Sequence, residues 1–123
     1  MSKRADRTEL ELRQRRTVAA GYPKAKWIEF ILTCLNLGLR VSYYEAKTTR
    51  SKYVYVSEPD GGRPFKVRFS NHRPNKMKQA AEDSNFYVGI SNGLVTTTDD
   101  AIDAVMAYFN IADNLEVIDL TDE

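Results

Sequence analysis

Cysteine and histidine are almost missing from this 123-residue chain, which has one of each. That scarcity removes whole classes of chemistry. Cys34 has no partner for an intramolecular disulfide, and its neighbours Ile31, Leu32 and Leu35 suit a small buried core residue. A structural zinc site needs several Cys or His ligands, so it is excluded on the same count, as is a metal nuclease of the His-Asn-His type. Long apolar runs are missing too. The longest, residues 27–39, is broken by Glu29, Thr33, Asn36 and Gly38 and falls well short of the roughly 20 residues that span a bilayer. The charged N-terminus is not followed by the apolar stretch of a signal peptide, so the expected compartment is the cytoplasm.

The most informative absence is that of Lys and Arg beyond residue 78. All 18 lie in residues 1–78 beside 7 Asp and Glu, net +11, whereas residues 79–123 hold 10 acids and no base, net −10. The overall charge of +1 therefore conceals two opposed halves. A basic half attracts polyanions, and an acidic half repels or imitates them. The pattern favours a nucleic-acid-linked or charge-steered binding protein over a small-molecule enzyme.

What is present suits one folded domain over 1–112, with an acidic tail over 113–123. The length allows burial of about two-thirds of the unfolded surface without metal or disulfide support. Residues 5–20 lack Pro and Gly and stop at Gly21 and Pro23, which predicts a basic helix; its poor apolar stripe leaves residues 1–22 as either a helix or a flexible basic arm. A second helix is expected over 24–37, where Trp27, Ile28, Ile31, Leu32 and Leu35 share a face and Gly38 supplies a left-handed cap. From Leu39 the period changes to two, predicting strands at about 39–47, 52–58, 64–71 and 86–91 joined by short turns. A helical turn could open at Pro74. Thr98 and Asp99 are N-cap candidates for a final helix running to about Ile111. The expected fold class is α+β, a four-stranded antiparallel meander with N-terminal helices and a C-terminal helix packed on one face.

Several residues could carry function. In the third strand Phe65, Val67 and Phe69 point one way and Lys66, Arg68 and Ser70 the other. Tyr53 and Tyr55 either join Lys66 and Arg68, giving stacking rings among cations as on single-strand binding platforms, or pack inward and leave an ordinary solvated basic face. Register decides between them. Arg50, Lys52, His72 and Arg73 flank this block and complete the expected contact set for nucleic acid or a nucleic-acid-binding complex. His72 suits a turn hydrogen bond or a phosphate contact, and no nucleophile-elbow pattern surrounds Ser70. Glu45-Ala46-Lys47 matches the Glu-x-Lys part of a magnesium nuclease site. The acid that such sites place on a preceding strand is missing, because Pro59-Asp60 comes after it.

Two resemblances add to this. Ser51-Lys52-Tyr53-Val54-Tyr55-Val56 followed by Lys66-Val67-Arg68-Phe69-Ser70-Asn71-His72 resembles a strand pair of small bacteriophage and mobile-element proteins, over residues 51–72 only. The resemblance implies a bacterial host cytoplasm and an accessory role, such as inhibiting or redirecting a host nucleic-acid-handling system, and it transfers no catalytic residue. Glu116 to Glu123 resembles a SUMO-interacting motif, which implies a tail whose Val117, Ile118, Asp119 and Leu120 add to a partner's sheet edge. The two compete, since SUMO is not expected in a bacterial host. The tail could equally be a last strand, a solvated end, or a screen lying over the basic sheet. The expectation is therefore a non-enzymatic binding protein with no cofactor, no metal and no membrane partner, able to self-associate through its opposed halves. The alternatives are a tail-based interaction module and a small nuclease using Glu45 and Lys47.

Overall fold

A computed structural model of the chain describes residues 3–48, 51–70, 87–90 and 95–111. In chain order it contains β1 (Lys3–Arg4), α1 (Arg7–Ala19), α2 (Lys26–Asn36), β2 (Arg40–Glu45), β3 (Lys52–Glu58), β4 (Gly61–Ser70), β5 (Tyr87–Ile90), β6 (Val95–Thr96) and α3 (Thr98–Tyr108). The strands form one sheet in the order β1-β2-β3-β4-β5-β6, with every neighbouring pair antiparallel. The α+β class is as expected, but the sheet has six strands instead of four. The additions, β1 and β6, are two residues long, too short to show alternation in a sequence. The suggested turn near Pro74 and the tail over 113–123 lie outside the described residues.

One face of the sheet makes the core. Val41 and Tyr43, Val54 and Val56, and Phe65, Val67 and Phe69 are buried against Ile28, Phe30 and Ile31 of α2, with Ala101 and Val105 of α3 beside them. Phe30 meets Phe69 with ring centroids 5.3 Å apart, and Tyr108 closes the end of α3 on Phe65 at 5.2 Å. Among the described residues, no helix is long and apolar enough to cross a membrane.

Local chemistry sets the helix ends. Asp6 caps α1 by accepting from the Glu9 N–H at 3.0 Å. The cap of α3 is Thr97, which accepts from the Asp100 N–H at 3.1 Å, just ahead of the expected Thr98 or Asp99. Gly38 follows α2 with φ 84°, a conformation costly for any side chain. At the β3–β4 hairpin Pro59 and Asp60 form the tip, and Gly61 and Gly62 take φ 101° and 96° where the register shifts.

The basic N-terminal segment is a packed helix. Leu10 is fully buried, and Gln14 beside it clamps the chain as it enters α2. The Ala25 N–H donates to Gln14 Oε1 at 2.8 Å, while Gln14 Nε2 donates to the Ala25 carbonyl at 3.2 Å. This pair fixes a helix start whose cap residue, Ala25, has no side-chain acceptor of its own. Gln14→Leu keeps the volume but leaves both Ala25 groups without that partner, so a loss of about 1–3 kcal/mol is expected. A lowered urea midpoint at unchanged slope would show it.

Candidate functional site

The face turned away from the helices carries the candidate site. Residues directly opposite in an antiparallel pair share a face, and successive residues alternate. Because Val54, Val56, Phe65 and Val67 point to the core, Tyr53 opposite Arg68 and Tyr55 opposite Lys66 point outward. The same register sets Tyr44 opposite Tyr53 and Ser42 opposite Tyr55, with Arg4 of β1 opposite Ser42. One row across the sheet thus reads Tyr44, Tyr53, Arg68, Gly89, and the next Arg4, Ser42, Tyr55, Lys66. The tyrosine and cation faces left open by the sequence coincide.

Tyr53 is the hub of this surface. Arg68 lies 5.5 Å and Lys66 5.6 Å from its ring centroid, and Tyr44 stands on the other side at 6.2 Å. Arg68 Nη2 also donates to the buried Ser51 Oγ at 3.2 Å, which in turn donates to Ser70 Oγ at 3.2 Å. Both cations are therefore oriented by an aromatic face, and among the described residues no acid pairs with them. No Asp or Glu stands at an outward position of the paired residues between Arg40 and Gly89. Arg4, Arg40, Lys66 and Arg68 are all exposed and make no ion pair among the described residues.

Cations on the helical side behave differently. Lys52, expected with the contact set, is in phase with Val54 and Val56 and so lies on the opposite face. Its Nζ sits 5.4 Å from the Trp27 ring and 3.9 Å from Glu45 Oε2. Arg13 of α1 completes the cluster: its guanidinium lies 4.8 Å from the same indole and grips Glu45 through bonds of 2.9 and 3.4 Å. This cluster fastens α1 to the sheet. A metal ion at Glu45 would have to displace two cations, and Lys47 lies exposed past the end of β2. Among the described residues, no group of three or more His, Cys, Asp or Glu could hold a metal ion.

Arg50, His72 and Arg73 lie outside the described residues, as do Val117, Ile118, Asp119 and Leu120 of the tail. Cys34 is fully buried, and burial raises its thiol to about 12, so it stays protonated at neutral pH. Lys3 is raised from its ordinary value chiefly by the Tyr43 hydroxyl and next by Glu9, and it keeps its charge. The sequence reading missed Arg4, Arg40 and Tyr44. Residues 40, 42 and 44 alternate with the apolar 41 and 43, so the signal for the latter two was there; Arg4 belongs to a strand too short to detect.

No family model, curated protein or solved structure matches the chain.

Proposed function

We propose that this chain is a non-enzymatic nucleic-acid-binding protein whose contact surface is the open face of its sheet. The observation that carries the proposal is the pair of rows in which Tyr44, Tyr53 and Tyr55 stand beside Arg4, Lys66 and Arg68 on a face where, among the described residues, no helix packs and no acid stands. Cations supply phosphate contacts, and rings supply stacking that tolerates any base. Outward neighbours along one strand, such as Tyr53 and Tyr55, are about 6.6 Å apart. That is roughly twice the 3.4 Å rise between stacked bases in a duplex. A strand engaging both rings has its bases drawn apart, which favours a single-stranded partner.

The same proposal gives the acidic residues 113–123 a gating role, competing with nucleic acid for the basic face, and gives the whole protein a phage-type accessory role on a host nucleic-acid-handling complex. The test is an anisotropy titration of labelled single- and double-stranded DNA and RNA across a salt series, using the full chain beside a 1–112 truncation. Expected are a preference for single strands, weakening with salt, and tighter binding after truncation. If the full chain and the truncation both ignore every probe at low salt, the open face does not bind nucleic acid.

A further inference from the structure

At the hairpin end of the open face the surface sinks into a depression of about 500 Å³, within the range of small-molecule sites. Arg4 of β1 and Arg40 of β2 stand on either side of Ser42 at one edge of it, Tyr55 and Ser57 of β3 lie across β2 from Arg4, and Gly62 and Pro64 of β4 complete the lining toward the hairpin. Its chemistry is one-sided. Among the described residues the lining has two guanidinium groups and several hydroxyls but no carboxylate, and neither arginine makes an ion pair. Tyr55 differs from Tyr53: among the described residues no ring or cation covers it. Gly62 adds no side chain to fill the space, and its φ of 96° disfavours any replacement.

We propose that this depression is a subsite for the phosphorylated terminal nucleotide of a single strand, resting on the nucleic-acid reading of the open face. The terminal phosphate sits between Arg4 and Arg40, and the base lies against Tyr55. Two features point to an end rather than to a passing strand. A phosphomonoester carries about −1.5 to −2 at pH 7, which two unpaired guanidinium groups match better than the single charge of a diester. The depression also stands where the tyrosine rows run out, bounded by the first residue of β2 and the start of β4. Guanidinium forks suit the planar, multidentate contact that such a group offers.

The experiment uses the full chain and labelled single strands of about eight nucleotides, carrying a 5′-phosphate, a 3′-phosphate or hydroxyl ends. Unaltered protein is compared with Arg4→Gln/Arg40→Gln and with Lys66→Gln/Arg68→Gln. One phosphorylated end is expected to tighten binding by on the order of tenfold. That gain should vanish in Arg4→Gln/Arg40→Gln, so that phosphorylated and hydroxyl-ended strands bind this variant alike, whatever part of the general affinity Arg4 also carries. The gain should persist in Lys66→Gln/Arg68→Gln, whose affinity for all strands falls together. Equal binding of phosphorylated and hydroxyl ends by the unaltered protein overturns the subsite and leaves the open face standing. So does a gain from the phosphorylated end that persists undiminished in Arg4→Gln/Arg40→Gln. If no strand binds, the open-face reading fails, and titration with a nucleoside monophosphate followed by NMR decides the depression alone: shifts at Tyr55 that are lost in Arg4→Gln/Arg40→Gln support it, and no shifts overturn it.

Discussion

Lys66→Gln/Arg68→Gln is expected to weaken single-strand binding by on the order of tenfold or more at low salt. The slope of log affinity against log salt should also become shallower by about 0.7 for each phosphate contact removed. Both side chains are exposed, lie over Tyr53 and have no acidic partner among the described residues, so their charge is available to a polyanion. Folding should be affected only modestly: an exposed cation over a tyrosine contributes about 0.5–1 kcal/mol, and the Arg68 hydrogen bond to Ser51 Oγ, also lost, is worth about as much. Lys52→Gln is the informative control. Its ammonium is held between Glu45 and Trp27 on the helical side, so its removal should lower stability slightly and leave the salt slope unchanged. Anisotropy titrations at four or more salt concentrations separate the two. A slope altered equally by both replacements would mean that the outward cations are not the phosphate contacts.

Phe30→Ala is expected to be the most damaging single core replacement, costing about 3–5 kcal/mol. Phe30 is fully buried, and its ring lies against Phe69 at the centre of the helix–sheet junction. Domains of this size have a total stability of about 5–15 kcal/mol, so a large share would be lost. Urea unfolding followed through Trp27, the only tryptophan, reads the change directly. A loss below about 1 kcal/mol would mean that α2 repacks freely, contrary to the tight junction described above.

Much of this fold was legible because period and punctuation agreed. Trp27, Ile28 and Ile31 mark the buried stripe of α2, and the positive φ of Gly38 stands where the cap was expected. Alternation in β3 and β4 separated the faces within each strand, but which faces coincide depends on pairing, and pairing is a property of two strands. The same alternation already opposed Lys52 to Tyr53 and Tyr55, so its inward position was readable and was overlooked in favour of its charge. The packing of α1 was not readable. It rests on one leucine, one glutamine amide and a guanidinium over an indole, none of which makes an apolar stripe. Charge segregation pointed to a polyanion, yet it did not distinguish cations spent on Glu45 from those left open on the other face.

The short strand β1 gives the proposed binding a local reporter. It is held to the sheet beside Val41, whose carbonyl accepts from the Ala5 N–H at 2.9 Å, and it pairs with a strand that starts only after both α1 and α2. Closing so long a loop for so few bonds makes β1 one of the easier parts of the sheet to open. Arg4 is part of it, so the depression is complete only while β1 is seated. Occupancy of the depression therefore draws β1 toward its closed position, and the exchange of the Ala5 amide with deuterium would slow with ligand even though that amide touches no part of it.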